Sequence, residues 1–188
     1  VPIRILSSSE EARYGMLAAV NSTTLADGWT LDIGGGSMQL CQVRGRRSER
    51  ALSWPLGAVR MTEHFFADTP DRPAERSAMK ALRKHAVAML EESGIAADAG
   101  RMVTVGGAVR NLATAARIAD GLPSEVGIQG YGLTRDRLDD LIDQLAALAP
   151  AKRRAIPGIK SGRGEIILAA AIVVRAAMAV TGAETIEV

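Results

Sequence analysis

Three consecutive glycines between two apolar segments constrain the fold of this chain more than any other feature. Residues 31–38 are Leu-Asp-Ile-Gly-Gly-Gly-Ser-Met. Residues 29–33 and 38–43 have the apolar and β-branched pattern of strands, so the glycines predict a tight turn between them. Residues 51–55 are a third strand candidate after a polar turn at 44–49. These segments together predict an antiparallel meander.

The same glycine segment predicts a phosphate site. Gly34, Gly35 and Gly36 allow the backbone to approach a ligand closely, and successive N–H groups in a tight turn form an anion nest. Ser37 adds a hydroxyl donor, and Asp32 is placed where a Mg²⁺ ion beside a phosphate is expected. The alternative is a simple hairpin. The pattern matches neither a Walker A loop nor a dinucleotide-binding fingerprint.

A second pair of glycines follows the apolar run 102–105. Gly106 and Gly107 precede a predicted helix at 110–119. The free N–H groups and the dipole of a helix start favour an anion there. Close packing of the strand on the helix explains the same glycines equally well.

Two adjacent glutamates lie near the start of the chain. Residues 7–9 are serines, and the spacings from Ser7 to Glu10 and from Ser8 to Glu11 both match a capping box at the start of a helix that ends near residue 20. The pattern alone therefore favours a capping role for Glu11 over a catalytic one.

Composition excludes several classes of protein. Hydrophobic residues make up 47% and charged residues 23%, which is typical of a globular chain, and aromatic residues make up only 3%. Few aromatic residues and a formal net charge of +2 disfavour nucleic-acid binding. The single cysteine, Cys41, allows no intramolecular disulfide and fits a cytoplasmic protein. No apolar stretch is long enough to cross a membrane. His64 and His85 are interpreted as helix-face residues, and the arginines of the 44–50 turn as solvated.

The order of predicted elements is β-α-β-β-β-α-α-β-α-α-α-β, an α/β fold with a mixed sheet. A strand is predicted over residues 1–6. A long helix is predicted over 73–93, with Pro73 in its first turn and Gly94 just beyond its end. Thr134 is predicted to cap another helix, and the apolar segment 165–180 predicts a buried helix before a last strand at 185–188.

Several segments together resemble the exopolyphosphatase/guanosine pentaphosphate phosphohydrolase (Ppx/GppA) family. They are Ile5-Leu6-Ser7 with Glu10-Glu11-Ala12-Arg13, then residues 31–37, then Leu56-Gly57-Ala58-Val59-Arg60-Met61-Thr62-Glu63. Val105-Gly106-Gly107 with Arg110-Asn111-Leu112-Ala113, and the segments at 131–133 and 163–171, are similar to later family motifs. The resemblance covers essentially the whole chain.

The resemblance implies a ribonuclease-H-like lobe of the actin-like ATPase superfamily. Residues 1–188 are then a single domain, the second of two lobes, with the first lobe absent from this chain. Glu11 matches the family's catalytic glutamate, the general base on the attacking water. Gly34 to Ser37 match its phosphate loop, and Asp32 its Mg²⁺-associated aspartate. The family usually has Glu where this chain has Gln39, and Gln39 is assigned here with Asp32 to the metal. The family usually has Gly-Gly-Thr where this chain has Gly106-Gly107-Ala108.

The implied activity is release of terminal orthophosphate from inorganic polyphosphate or guanosine pentaphosphate, with Mg²⁺ as cofactor. The isolated lobe is expected to be inactive without its partner lobe. Gln39 and Ala108 leave open a sensor that binds polyphosphate or a nucleotide without hydrolysis. An ATP-dependent sugar or acid kinase and a dimerisation element are further alternatives, and a homodimer is left open.

Overall fold

A mixed β-sheet forms the middle of the molecule. The computed structural model describes residues 3–68, 71–95, 97, 100–122 and 127–188. Its strands are β1 (Gly28–Ile33), β2 (Met38–Arg44), β3 (Arg47–Trp54), β4 (Arg101–Thr104), β5 (Gly132–Thr134) and β6 (Thr185–Glu187). Its helices are α1 (Ser8–Ser22), α2 (Ala58–Phe66), α3 (Arg76–Glu92), α4 (Gly107–Ala119), α5 (Arg135–Ala146), α6 (Pro150–Arg153) and α7 (Ile167–Thr181).

The six strands lie in the order β3-β2-β1-β4-β6-β5. β1, β2 and β3 form the predicted antiparallel meander. β4 runs parallel to both β1 and β6, and β5 pairs antiparallel with β6. The predicted α/β class with a mixed sheet is therefore confirmed.

The alternation of side chains along the central strands divides the interior into two clusters. Trp29, Leu31 and Ile33 of β1 join the larger core with α2, α3, α4, α5 and α7. Cys41 and Val43 of β2 face the other way and pack with the buried residues of α1. Because successive side chains point to opposite faces, Asp32 and Gln39 lie on the face that α1 covers.

Helix α7 lies at the centre of the larger core. Its residues 167–174 are all buried, as the apolar sequence predicted. It ends at Gly182, whose φ of 80° is the left-handed conformation that glycine favours at a helix end. The predicted ends at Gly94 and the predicted cap at Thr134 are also confirmed, since Gly94 has a φ of 64° and Thr134 accepts a hydrogen bond from the Arg137 amide.

Two local predictions are wrong. Of the strand predicted at 1–6, residues 1 and 2 lie outside the described residues, and residues 3–6 form no strand. Ile3 and Ile5 are 96% and 92% exposed, and none of the described strands pairs with them. Helix α3 begins at Arg76, so Pro73 precedes the helix. β5 and α6 were not predicted.

The polar turn predicted at 44–49 is shorter than expected. β3 begins at Arg47, and the turn consists of Gly45 and Arg46, both with positive φ, as a two-residue hairpin of this hand requires. The guanidinium of Arg46 donates to the carbonyls of Val20, Thr23 and Leu25 at the end of α1. Arg50 donates to the carbonyls of Ser93 and Gly94 at the end of α3. Both arginines are exposed, as the sequence predicted, and they also cap the ends of these helices.

Candidate functional site

The glycine loop between β1 and β2 is exposed, and its turn is closed by the backbone. Gly34 N–H donates to the Ser37 carbonyl at 2.9 Å and closes the turn. The first-turn amides of α2 hold the loop carbonyls: Ala58 donates to Gly34 at 2.9 Å, and Val59 donates to Gly35 at 2.9 Å. Among the described residues, none accepts a hydrogen bond from the amides of Gly35, Gly36 or Ser37. Unused successive N–H groups of this kind form an anion nest.

The close contact between the loop and α2 depends on Gly57. A Cβ at this position would lie 2.3 Å from the Gly35 carbonyl oxygen and 2.4 Å from the carbonyl carbons of Gly35 and Gly36. Gly57 has a φ of −70°, which any residue can adopt. The need for glycine is therefore one of space. The sequence assigned residues 56–63 to the family resemblance only, and their bracing of the loop required the structure.

Asp32 lies at the end of β1 beside the second glycine pair. A Cβ on Gly106 would lie 2.6 Å from Asp32 Oδ1, so glycine at 106 leaves room for the carboxylate. Burial of Asp32 raises its pKa, the charge of Glu11 raises it further, and a hydrogen bond from the Ile33 amide lowers it. The structure thus brings Glu11, Asp32 and Gly106 together from three distant segments of the chain.

The two adjacent glutamates have different roles in the structure. Ser7 is the N-cap of α1, and Glu10 completes the capping box by accepting from the Ser7 amide at 2.9 Å. Glu10 also pairs with Arg4. Glu11 takes no part in this cap, so the capping role weighed for it from the sequence belongs to its neighbour.

Glu11 is instead bound to Gln39 on β2. The Gln39 amide nitrogen donates to Glu11 Oε2 and to Ser37 Oγ, both at 2.8 Å. An ionised Glu11 can only accept hydrogen bonds, so the Gln39 amide must turn its nitrogen, and not its oxygen, toward Glu11 and Ser37. Ser37 therefore keeps its O–H for another acceptor. Gln39 is only 4% exposed, and it enters the site as a donor.

The start of α4 has an additional cation. Gly106 is the N-cap and supplies no side-chain cap. The guanidinium of Arg163 lies over the first turn, where Nη2 would be 2.7 Å from a Cβ on Gly107. Among the described residues, the guanidinium has no ion-pair or hydrogen-bond partner. A helix start and an unpaired guanidinium at one place favour an anion.

Arg163 was not predicted as a site residue. It lies near four other basic residues, Lys152, Arg153, Arg154 and Lys160, and no local signal in the sequence separates it from them. The structure does: Arg153 is buried and donates to the Leu145 carbonyl, and burial lowers its pKa to about 10. Ala108 is also buried, so a ligand at this helix start would contact the backbone and Arg163 rather than the Ala108 side chain.

The donor set at the site fits Mg²⁺ held partly by water and phosphate. Among the described residues, no group of three or more His, Cys, Asp or Glu side chains could hold a metal ion. Mg²⁺ commonly uses one or two carboxylates together with water and substrate phosphate. Burial and the charge of Glu11 raise the pKa of Asp32, so a cation bound here would stabilise the ionised carboxylate. Gln39 presents a nitrogen, which is no ligand for Mg²⁺.

The other titratable residues of interest lie elsewhere. Cys41 is buried, burial raises its thiol pKa, and Sγ lies 3.1 Å from Ser48 Oγ. The rings of His64 and His85, on α2 and α3, have centroids 6.2 Å apart with Phe65 against both. In the part of the chain described here, no helix is long and apolar enough to span a bilayer.

Comparison with known proteins gives one consistent family. The profile of the Ppx/GppA phosphatase family matches residues 1–188. An uncharacterised protein of Streptomyces coelicolor is 33% identical over 99% of this chain and 56% of its own length. Exopolyphosphatase 1 of Mycobacterium leprae is 29% identical over 100% of this chain and 56% of its own length. The chain thus spans about half the length of these relatives.

Solved structures agree on the fold. The Ppx/GppA family member of Aquifex aeolicus superposes with a TM-score of 0.84 at 20% identity, covering 97% of this chain and 58% of that one. An exopolyphosphatase from Cytophaga hutchinsonii gives a TM-score of 0.76 at 18% identity, covering 95% and 57%. The predicted architecture, that of the actin-like ATPase fold, is confirmed by these neighbours.

Proposed function

Because the chain belongs to the Ppx/GppA phosphatase family, we propose that it forms the lobe of a phosphohydrolase that releases terminal orthophosphate from inorganic polyphosphate. The observation that carries the proposal is the Glu11 carboxylate, which Gln39 joins to Ser37 of the glycine loop, whose 35–37 amides have no acceptor among the described residues. A base and an anion nest at one place are what hydrolysis of a phosphate chain needs. The other lobe of the full protein supplies the opposite wall of the cleft.

Glu11 acts as general base in this proposal. Gln39 occupies Oε2, which leaves Oε1 to accept a proton from water. The water oxygen bonds to the terminal phosphorus while the bond from that phosphorus to the bridging oxygen breaks. The shortened chain leaves with the bridging oxygen, and the proton on Glu11 passes to a product phosphate. Oriented attack supplies much of the acceleration.

The backbone stabilises the transferred group. The amides of Gly35 and Gly36 and the hydroxyl of Ser37 donate to the terminal phosphoryl oxygens, and Arg163 with the α4 amides adds positive charge. Fixed donors need no rearrangement as charge develops, which makes this the largest expected contribution. Asp32 would hold a Mg²⁺ ion, which would neutralise phosphate charge when bound.

The test is Glu11→Gln in the full-length protein, with Glu10→Gln as the matched control. We expect Glu11→Gln to abolish phosphate release while polyphosphate binding stays within about twofold. Glutamine can replace glutamate in a capping box, so Glu10→Gln should retain both activity and fold. Equal loss of binding and turnover in Glu11→Gln, or equal loss of activity in both variants, would refute the base assignment.

A polyphosphate- or nucleotide-binding sensor is the second candidate, and Gln39 favours it. Its amide nitrogen faces the site where a carboxylate would offer a metal ligand. Gln39→Glu separates the two functions through Mg²⁺-dependent phosphate release. A gain indicates a weakened hydrolase. Unchanged, negligible release with retained binding indicates a sensor. Guanosine pentaphosphate should be assayed beside polyphosphate, since the family resemblance implies either substrate.

A further inference from the structure

Arg60 connects the glycine loop to the surface beside it. Its backbone amide donates to the Gly35 carbonyl at 3.1 Å, and its Nε donates to the Gly36 carbonyl at 3.0 Å. The residue is exposed, and among the described residues its guanidinium forms no ion pair. Nε is therefore used to hold the loop, while the Nη groups keep donors for a ligand.

Two grooves flank Arg60, and they differ in charge. One, of about 420 Å³, is lined by Ser8, Gly36, Ser37, Ser53, Trp54, Pro55 and Arg60. The other, of about 430 Å³, is lined by Gly35, Gly36, Val59, Arg60 and Glu63. The described lining of the first groove offers three hydroxyls and a guanidinium and includes no carboxylate, which suits an anion. The second contains Glu63, which repels one.

We infer that the serine-lined groove binds the phosphates that follow the terminal one, with Arg60 as their main ligand. The inference rests on the proposed function and extends it. The terminal phosphate of the polyphosphate enters the glycine loop first, and the phosphates behind it pass Arg60 toward Ser53. Guanidinium and phosphate form paired, charge-assisted hydrogen bonds. The serine hydroxyls add neutral donors along the same path.

The groove suits a linear phosphate chain better than a nucleotide. Among the described residues that line the groove, Trp54 is the one aromatic residue, but it is 6% exposed and its Nε1–H donates to Ser93 Oγ at 2.9 Å. It offers no ring face on which a guanine could stack. The ligand class assigned to this groove is therefore inorganic polyphosphate of three or more units.

The experiment measures equilibrium binding of orthophosphate, tripolyphosphate and long-chain polyphosphate to the full-length protein. A Glu11→Gln background prevents turnover. We expect Arg60→Met to weaken binding of tripolyphosphate and long chains about tenfold while orthophosphate affinity changes less than threefold, because only the longer ligands reach the groove. Arg60→Lys should recover part of the loss, since it restores the charge without the fork.

Arg47→Met is the matched control. Arg47 is exposed and pairs with Arg44 at one end of the β2–β3 ladder, whereas Trp54 pairs with Met38 at the end near the groove. The affinities of Arg47→Met for all three ligands should equal those of the parent.

Equal loss of affinity for orthophosphate and for long chains in Arg60→Met would reduce Arg60 to a brace of the loop and overturn the subsite. Absence of polyphosphate binding in the parent would overturn both proposals. Chain-selective binding without phosphate release from the unmutated protein would support the groove and defeat the hydrolase.

Discussion

Replacement of Gly57 by alanine tests the brace that orients the glycine loop. The added Cβ would lie 2.3 Å from the Gly35 carbonyl oxygen and 2.4 Å from two carbonyl carbons. All three atoms are backbone, so no side chain can rotate away. An ordinary contact needs roughly 1 Å more, and the loop and α2 must separate by about that distance.

The expected cost follows from three contributions. Overpacking of a tight contact costs about 1–3 kcal/mol. Separation weakens the bonds from Ala58 and Val59 to the loop carbonyls, which are worth about 0.5–1.5 kcal/mol each. The lower entropy of unfolded alanine offsets about 0.4–1 kcal/mol. A net destabilisation of about 2–4 kcal/mol corresponds to a fall in Tm of roughly 4–16 °C for a unit of this size.

Thermal unfolding of the protein, with Gly36→Ala as control, provides the assay. Among the described residues, no heavy atom lies within 4 Å of a Cβ added at Gly36, and Gly36 has no positive φ. Its replacement should therefore not destabilise the fold, and the lower entropy of unfolded alanine should stabilise it by about 0.4–1 kcal/mol. Gly57→Ala should also weaken orthophosphate binding, because the loop loses its orientation. Equal stability of the two variants would refute the claim that Gly57 allows the helix to reach the loop.

Three other outcomes are expected. Asp32→Asn should raise the free energy of unfolding at neutral pH by about 0.5–2 kcal/mol, because it removes a carboxylate whose pKa burial and Glu11 raise. The native state binds the Asp32 proton more tightly than the unfolded state, so this gain should shrink as pH falls through the raised pKa, as denaturant titrations at several pH values would show. Arg163→Gln should weaken orthophosphate binding about tenfold with little change in Tm, which calorimetric titration would measure. Arg50→Met should cost about 0.5–1.5 kcal/mol by uncapping α3, with unchanged phosphate affinity.

Elements with local determinants could be predicted from the sequence. The 34–36 glycines, the Thr134 cap and the Gly94 and Gly182 ends depend on backbone conformation within a few residues, so composition is enough to find them. The strand predicted at 1–6 failed for the opposite reason. Ile3 and Ile5 have the composition of a strand, but a strand exists only where a neighbour pairs with it, and pairing is not encoded in the segment.

The sequence named residues of the candidate site but not the contacts between them. The structure places Glu11, Asp32 and the glycine loop close together, and the roles assigned to them stay predictions. The amide of Gln39 between Glu11 and Ser37, the guanidinium of Arg163 over α4, and the brace from α2 all join distant segments. Such contacts depend on where the sheet positions the ends of its strands and the helices that follow them, and no spacing along the chain specifies them.

The register of α1 decides which of two adjacent glutamates enters the site. Successive residues on a helix point about 100° apart, so Glu10 and Glu11 cannot share one environment. Ser7 and Ser8 each match a capping box, but the helix begins with Ser7 as N-cap, and this choice makes Glu10 the capping partner. Glu11 is then turned toward β2, where Gln39 binds it. A start one residue later would make Glu11 the capping residue, so the first hydrogen bonds of the helix and the chemistry proposed for Glu11 have a common structural origin.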